Sequence, residues 1–359
     1  MIEGFRKENK IGKGDRISKY MKAGVLGKGR NGEVLLVFDT NTEQYYAMKR
    51  FHDRKEAEKE AEILKKSDHP GIPKLHDFFI REEEAYLVTE YVKGITLEKI
   101  LSYGRHTGLT EDDYDYGGTC FVPERSGLLE KDGDRFRTAV KIAEILSYLH
   151  SLPTPVVHGD IKPENIIITE QNEVKLIDFG SAHLLPETPE RILSTMGYAA
   201  PEMRDGRSGL QGDVYAFGMV LARLMSGKDF DFSGKDRAFL MRMGLSFGEA
   251  SIAERCLNVR ERKRYPSGRE VLAGLLRCDR KEKIRAGIES LTGFICVDIG
   301  GVLAMYGLLS FFVMGHYKGK FLLLSGCFLL LIRLIASSAD RRTGGKDFFV
   351  ISSVFLADR

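Results

Sequence analysis

The chain has 359 residues, which leaves room for a two-lobed domain and an appendage. Its 54 Lys and Arg nearly balance 51 Asp and Glu, so the bulk composition indicates no nucleic-acid partner. The five cysteines are scattered and never in CxxC spacing, which argues against a disulfide framework and a zinc site. The opening MIEGFRKENKIGKGDR has no apolar core, so we expect the N-terminal part to stay in the cytoplasm.

The first hundred residues carry β-strand patterns around one helix. VLLVF (34–38) and YYAMK (45–49) are rich in β-branched and aromatic residues, and a DTNTEQ turn separates them. Residues 54–66 contain helix formers throughout and one charged face, which predicts a helix. HPGIP (69–73) then interrupts the pattern, and EAYLVTEYV (84–92) predicts another strand.

Helical patterns dominate the middle of the chain. The polar, Gly-rich residues 103–135 are expected to be an inserted loop, and residues 136–152 have the apolar spacing of a helix. IIIT and EVKLI flank a QN turn and predict a small hairpin. Residues 213–276 are again mainly helical. Strands followed by helices predict an α+β fold with a β-rich small lobe and a helical large lobe.

The glycines of LGKGRNGEV (26–34) predict a phosphate-binding loop. Gly27, Gly29 and Gly32 would let backbone N–H groups approach phosphate oxygens, since no Cβ stands in the way. The pattern is weak alone, and a dinucleotide fingerprint would continue into a helix. Here a strand follows, so the loop joins two antiparallel strands.

Lys49, which closes the second of these strands, is a candidate phosphate ligand. Such a lysine needs a carboxylate to hold it, and Glu60 in the predicted helix has suitable spacing. The alternative is that the glutamates of this helix, including Glu56, Glu58 and Glu62, form a solvated face.

HGDIKPEN (158–165) gathers the groups that phosphoryl transfer needs. Asp160 can accept or orient the proton of an attacking hydroxyl, and Lys162 can neutralise charge on the transferring group. Asn165, and Asp178 in LIDFGSA, can supply oxygen ligands to a divalent cation. Magnesium favours one or two protein ligands together with substrate phosphates, which fits this pair.

These motifs together resemble those of the eukaryotic-type (Hanks-type) serine/threonine protein kinases. GKGRNGEV, YAMK, HGDIKPEN, DFG and APE occur in the order and spacing of that family. The resemblance implies a kinase domain over residues 20–285, with the insertion at about 103–135 and an N-terminal extension over 1–19. It also implies a bilobal kinase fold with a β-rich N-lobe and a helical C-lobe.

The resemblance assigns roles to the motif residues. The glycines would cover the phosphates of ATP, and Lys49 would bind the α- and β-phosphates and pair with Glu60. Asp160 would be the catalytic base, and Lys162 would contact the γ-phosphate. Mg²⁺, or alternatively Mn²⁺, would be held by Asn165 and Asp178.

Other positions match the adenine pocket and the scaffold of the family. Val34, Ala47 and Ile167 would sandwich the adenine, next to Thr89 as gatekeeper and the hinge residues Glu90 and Val92. The scaffold positions are the column members Leu64, His158 and Phe179, the helix residue Asp213, and the ion pair of Glu202 with Arg264.

KPEN has the form found in the Ser/Thr kinases, and Thr195 matches a Thr that contacts the catalytic loop in those kinases. The resemblance therefore implies Ser or Thr as the acceptor. Gly159 departs from the family, which usually has an Arg that pairs with a phosphate on the activation segment. We therefore expect that phosphorylation between Asp178 and Glu202 is not needed through this route, although Thr188 and Ser194 are also available. What orders the segment instead stays open.

Two alternatives keep part of this interpretation. The aminoglycoside and choline phosphotransferases also have HGD and share the fold, but they modify small molecules; KPE, the DFG glycine and GYAAPE argue against them. A pseudokinase scaffold usually lacks the lysine, the base or a metal ligand, and none is lost here.

The last part of the chain predicts a transmembrane hairpin. Residues 291–315 contain one charge, Asp298, and would span about 37 Å as a helix, more than a hydrocarbon core of about 30 Å. Residues 321–339 form a second apolar run with Arg333. A buried helical hairpin of a soluble domain is the alternative.

Basic residues flank both ends of this predicted hairpin. RCDRKEKIR precedes it and DRRTGGK follows it, which predicts a cell-membrane protein with two spans, with the kinase domain and the tail (340–359) cytoplasmic. The basic stretch before the first span is expected to touch anionic lipid. Asp298 could pair within a homodimer or lie near the interface. The compact kinase domain and the membrane tail suggest a bacterial source. We expect the partners to be protein substrates and not nucleic acid.

Overall fold

The structure is a computed structural model that describes residues 19–29, 32–103, 132–187, 197–227, 236–281 and 284. The chain divides into two compact units, residues 1–278 and 279–359, and nearly all described residues belong to the first. Within the described ranges, no helix combines the length and apolar character that crossing a bilayer requires. The predicted spans 291–315 and 321–339 lie outside these ranges.

A five-stranded antiparallel sheet and one helix form the small lobe. The strands lie in the order β1-β2-β3-β5-β4. Their bounds are β1 Tyr20–Gly29, β2 Gly32–Asp39, β3 Gln44–Phe51, β4 Leu75–Arg81 and β5 Glu84–Glu90. Sequence patterns missed β4, LHDFFIR, because its polar start interrupts the alternation and a register shift lies between Leu75 and Asp77.

Helix α1 (Arg54–Lys66) connects β3 to β4 and presents a buried face to the sheet. Asp53 caps its N-terminus by accepting a hydrogen bond from the Lys55 amide. Glu60 lies on the buried face with Ile63 and Leu64, whereas Glu58 and Glu62 are exposed. Burial thus singles out one glutamate of this helix.

Helices form most of the large lobe. They are α2 (Leu97–Tyr103), α3 (Asp132–His150), α4 (Leu210–Ser226), α5 (Arg237–Arg242), α6 (Phe247–Cys256) and α7 (268–281). Helix α4 is buried on nearly all sides, as its apolar sequence predicts, and packs against α3 and α6. The predicted bilobal architecture, a sheet-rich lobe followed by a helical lobe, is confirmed.

Short strands carry the loops that lie between the lobes. They are β6 (Gly94–Thr96), β7 (Val156–Val157), β8 (Ile166–Thr169), β9 (Val174–Leu176) and β10 (His183–Leu184). Strands β8 and β9 are the predicted hairpin, and β6 pairs with β8. Strand β10 pairs with β7.

Helices flank the predicted insertion. Tyr103 ends α2, and α3 begins at Asp132, four residues before the Phe136 that the apolar spacing predicts. Acidic residues favour the first turn of a helix, because its N-terminus carries partial positive charge, so Asp132 and Asp134 suit that position. Residues 104–131 lie outside the described ranges.

Candidate active site

The glycine loop connects β1 and β2, and the fold constrains Gly27 and Gly32 differently. Gly27 lies opposite Val34, and Gly29 opposite Gly32. Gly32 has φ +135°, and a Cβ on it would lie 1.8 Å from the Arg50 carbonyl oxygen, so the fold itself requires glycine there. A Cβ on Gly27 would meet no atom within 4 Å. The fold therefore leaves space at Gly27.

Lys49 forms ion pairs with two carboxylates at the centre of the cleft. Its Nζ lies 2.8 Å from Glu60 Oε2 and 2.6 Å from Asp178 Oδ1. Burial alone would lower the pKa of Lys49, but the two carboxylates outweigh it and raise that pKa. Burial raises the pKa of Glu60, and the Lys49 ammonium opposes this rise. The predicted pair with Glu60 is therefore present, together with Asp178.

Asp178 is held in a backbone conformation that few non-glycine residues adopt. Its φ is +63°, and its Oδ1 accepts a hydrogen bond of 3.4 Å from the Gly180 amide as well as the bond from Lys49. Its side chain remains 48% exposed. Burial would raise the pKa of Asp178, but Lys49 outweighs it and lowers that pKa, which keeps the carboxylate ionised.

The loop after β7 brings the other predicted catalytic groups together. Lys162 Nζ lies 2.6 Å from Asp160 Oδ2. Asn165, on a single 3₁₀ turn, donates from Nδ2 to the Asp160 carbonyl oxygen at 2.8 Å and to Asp160 Oδ2 at 3.1 Å. Since these side-chain hydrogen bonds use Nδ2, the amide oxygen of Asn165 suits a cation.

Asp213 of α4 fixes the backbone of this loop. Its two carboxylate oxygens accept hydrogen bonds from the amides of His158 (2.7 Å) and Gly159 (2.9 Å). His150 Nε2 lies 3.1 Å from Asp213, and His150 Nδ1 accepts from the Gly268 amide. Burial would raise the pKa of Asp213, but its hydrogen-bond partners, His150 foremost, lower it.

Gly159 has a structural requirement of its own. Its φ is +79°, and a Cβ there would lie 2.7 Å from the backbone carbonyl oxygen of Ser181. The catalytic loop and the start of the activation segment therefore meet backbone to backbone. The β7–β10 pair, and a hydrogen bond from the Leu185 amide to the Pro155 oxygen, continue this contact.

The predicted adenine pocket comes from both lobes. Val34 on β2, Ala47 on β3 and Ile167 on β8 are all half-buried. In the hinge, Val92 is buried and the Glu90 amide donates to the Lys74 oxygen. Strands β2 and β3 are neighbours in the sheet, and all three apolar side chains remain partly exposed, as contact with a planar base would require.

The residues predicted to hold Mg²⁺ fit the cation by donor chemistry. One carboxylate, Asp178, and one amide, Asn165, are hard oxygen donors. Across the described ranges, no three His, Cys, Asp or Glu side chains could hold a metal by themselves. Two protein donors suffice for Mg²⁺ only when substrate phosphates complete its coordination, as in a nucleotide site.

The scaffold predictions agree with the contacts found. Leu64, His158 and Phe179 are buried, and the His158 and Phe179 rings meet edge to face at 4.9 Å. Arg264 Nη2 donates to Glu202 Oε2 at 2.7 Å, with both residues buried. Burial lowers the pKa of His158, which keeps it neutral and fits a structural residue.

Sequence reasoning missed three residues that support the site. The first is His150, described above with Asp213. The second is Lys175 of β9, whose Nζ lies 2.8 Å from Oε1 of the hinge residue Glu90. Arg223 of α4 forms a bidentate ion pair with Glu98 of α2 and donates to the Tyr198 hydroxyl at 2.9 Å. Only tertiary structure brings these partners together, because up to 125 positions separate them in the chain.

Comparison with known proteins identifies the family to which this bilobal fold belongs. Residues 20–291 match the family model described as protein kinase domain. The chain belongs to the protein kinase family.

Curated proteins from distant organisms resemble it over the same region. Ribosomal protein S6 kinase alpha-2 of Homo sapiens is 30% identical over 255 residues, 67% of this chain and 30% of that protein. Serine/threonine-protein kinase PknD of Protochlamydia amoebophila is 27% identical over 295 residues, 69% and 28% of the two chains. An Arabidopsis thaliana protein named a probable inactive receptor kinase is 33% identical over 212 residues, 57% and 29%. The matched region spans under a third of each relative.

Proposed function

We propose that the protein transfers the γ-phosphate of ATP to Ser or Thr hydroxyls of proteins, including its own. One observation carries this proposal: Asp160, Lys162 and Asn165 converge on a loop fixed by Asp213, while Lys49 is paired with Glu60 and Asp178. These two groups of side chains supply the cations, the base and the oxygen donors that the proposed transfer would use. Two relatives carry serine/threonine or S6 kinase in their names, which supports the protein acceptor.

In the proposed reaction the acceptor oxygen attacks the γ-phosphorus while its proton passes to Asp160. A new O–P bond forms, the bond to the β–γ bridging oxygen breaks, and ADP leaves with that electron pair. Lys162, which binds Asp160 in this structure, would move to the γ-phosphate and so release the Asp160 carboxylate as base.

Nucleotide binding would also separate Lys49 from one of its two carboxylate partners. Lys49 would keep Glu60 and contact the α- and β-phosphates, and Asp178 would turn to the cation with Asn165. When bound, Mg²⁺ or Mn²⁺ would neutralise negative charge on the phosphates. Gly27, where the fold leaves space, would face the phosphates along with Gly29 and Gly32.

A catalytically silent scaffold is the second candidate, favoured by one relative whose name includes probable inactive. Against it, the lysine, the base and both metal donors are all present, Lys49 is paired with Glu60, and Lys162 lies beside Asp160. A small-molecule phosphotransferase is disfavoured by the GYAAPE segment, in which the Tyr198 hydroxyl accepts a hydrogen bond from Arg223, itself paired with Glu98.

We also propose that residues 291–315 and 321–339 form a membrane hairpin that leaves the kinase domain and residues 340–359 in the cytoplasm. The support is the apolar composition of both runs and the basic residues that flank them. Association of two copies through Asp298 would bring two kinase domains together for trans-phosphorylation, which is how a homodimer would act.

The acceptor is identified by incubating the full chain with γ-labelled ATP and Mg²⁺, together with a basic protein and an aminoglycoside in one tube. Label on phosphoserine or phosphothreonine after acid hydrolysis is the expected result. Label only on the aminoglycoside would replace the protein acceptor with a small molecule. Absence of label on either acceptor and on the chain itself, despite ATP binding, would favour the scaffold.

A further inference from the structure

Five exposed cations lie at the C-terminal base of the large lobe. We call this surface the basal patch; it consists of Arg255, Arg260, Arg262, Lys263 and Arg277. None of the five takes part in the catalytic cleft. Their number matters because like charges at close range repel one another and cost stability unless a partner of opposite sign is present.

Contacts around two buried residues hold the patch together. Arg264 donates from Nε to the Asn258 oxygen at 2.8 Å, which folds the segment 258–264 against the end of α6. The Arg255 guanidinium lies over the ring of the next residue, Tyr265. The distance from Arg255 Cζ to the ring centroid is 4.1 Å. A Cβ on Gly274 of α7 would lie 3.1 Å from the Tyr265 hydroxyl, one helical turn before Arg277.

The nearby carboxylates are already engaged elsewhere. Glu261 pairs with Arg207 at 3.3 Å, Glu254 pairs with Arg237 at 2.7 Å, and Glu270 accepts from the Ser267 hydroxyl. Among the residues that the structure describes, no carboxylate lies within ion-pair distance of the five cations of the basal patch. Within the described ranges, the positive charge of the patch therefore has no paired carboxylate.

Two exposed apolar side chains accompany this charge. Val259 is 69% exposed and Leu276 is 48% exposed, and each is adjacent in sequence to a patch cation. Cations with interspersed aliphatic residues suit a lipid interface, where headgroups take the charge and the acyl boundary takes the apolar groups. A phosphodiester chain offers no such boundary, and the one aromatic ring among these contacts, Tyr265, is buried and cannot stack on a base.

We propose that the basal patch binds the anionic lipid headgroups of a membrane surface. The proposal also agrees with the order of the chain, because the 14 residues 278–291 lead from Arg277 to the start of the apolar run at Leu291. Even fully extended, they reach about 48 Å. Binding of this kind is independent of ATP and of phosphoryl transfer.

A unique fluorophore can test the proposal, because the natural chain contains no Trp. Leu276→Trp would be introduced into the full chain, which is then reconstituted with phosphatidylcholine vesicles, with or without about one-third phosphatidylglycerol, carrying brominated acyl chains. We expect a blue-shifted, quenched emission only with phosphatidylglycerol, reversed by high salt. Ile80→Trp, in the small lobe and 40% exposed, is the matched probe and should not respond.

Removing the positive charge of the basal patch tests whether that charge, and not proximity to the vesicle alone, causes the quenching. Each basic side chain near an anionic surface strengthens binding about fivefold, so changing Arg260, Arg262, Lys263 and Arg277 to Gln should reduce the quenching to its level in phosphatidylcholine. The control changes the exposed Lys22, Lys55, Lys65 and Lys74 to Gln, with the same loss of charge, and should keep the response.

Three results would overturn the proposal. They are equal quenching in both vesicle types, a response that survives neutralisation of the patch, or a response to added double-stranded RNA in place of phosphatidylglycerol. Autophosphorylation measured on the same samples reports on the proposed function separately.

Discussion

At the residue scale, Gly159 lets the catalytic loop approach the start of the activation segment closely at Ser181. The φ of +79° and the position of the Ser181 oxygen, 2.7 Å from where a Cβ would be, exclude a side chain without rearrangement. Where the family usually has an arginine, this chain has a direct backbone contact at Gly159, and the β7–β10 pair extends that contact. We predict that this contact positions the start of the segment, up to residue 187, without a phosphate.

We predict that Gly159→Ala lowers the free energy of unfolding by about 1–3 kcal/mol and reduces phosphoryl transfer, because it combines an unfavourable φ with a steric clash. Thermal unfolding and initial rates measure the two effects.

Two other glycines separate these causes. Gly206 has φ +75° but no atom within 4 Å of a built Cβ, so Gly206→Ala should incur only the conformational cost. Gly133 has neither constraint, and Gly133→Ala should be neutral or slightly stabilising in α3. Equal effects of the changes at Gly159 and Gly206 would argue against the contact with Ser181.

At the element scale, α4 organises the large lobe and the catalytic loop at once. Its nearly complete burial fixes its position, and Asp213 on its first turn holds two loop amides. His150, at the end of α3, connects this carboxylate to the Gly268 amide at the start of α7. Three helices thus meet at one buried charge.

We predict that Asp213→Asn lowers the free energy of unfolding by about 1.5–3 kcal/mol, since hydrogen bonds to a charged acceptor are the stronger ones. The turnover number should fall while the KM for ATP changes little, because Lys49 and the hinge are untouched. Asp205→Asn, at a side chain that is 71% exposed, is the control for loss of one carboxylate. A loss confined to the KM for ATP would contradict this assignment.

Local patterns predicted some elements and missed others for identifiable reasons. Helix α1 and the β8–β9 hairpin follow from helix formers and from a turn between β-branched runs. The short α2 has no periodicity long enough to read, and β4 begins with polar residues. Linear motifs located Lys49, Asp160 and Asp178, because each lies within a short, ordered signature. His150, Lys175 and Arg223 have no such signature, since their partners are distant in sequence.

At the scale of the whole molecule, histidines that are buried or half-buried connect stability to pH. His69, His158 and His183 all have lowered pKa values, and burial is the first cause in each case. Between the lowered pKa and the ordinary value of about 6.5, the unfolded chain binds more protons than the folded chain. Stability therefore falls as the pH drops below about 6.5.

We predict a decrease in the free energy of unfolding of up to about 1.4 kcal/mol per pH unit for each of these histidines. Denaturant titrations at pH 7.5, 6.0 and 5.0 measure it. His183→Gln should make the dependence shallower, whereas His52→Gln, at a side chain that is 70% exposed, should not. Asp178 and Asp213, whose pKa values are lowered, lose their contribution only in more acidic solution. A flat profile between pH 7.5 and 5.0 would refute the prediction.

The most direct test of the central claim, that this cleft transfers phosphate with Asp160 as base, is to measure ATP binding and transfer on the same preparations of wild type and Asp160→Asn. Because a positioned base contributes about 100-fold or more, we expect transfer to fall by at least that factor while the affinity for Mg²⁺–ATP stays within about twofold. Transfer that is equal in both proteins, or absent from the wild type despite ATP binding, would contradict the claim.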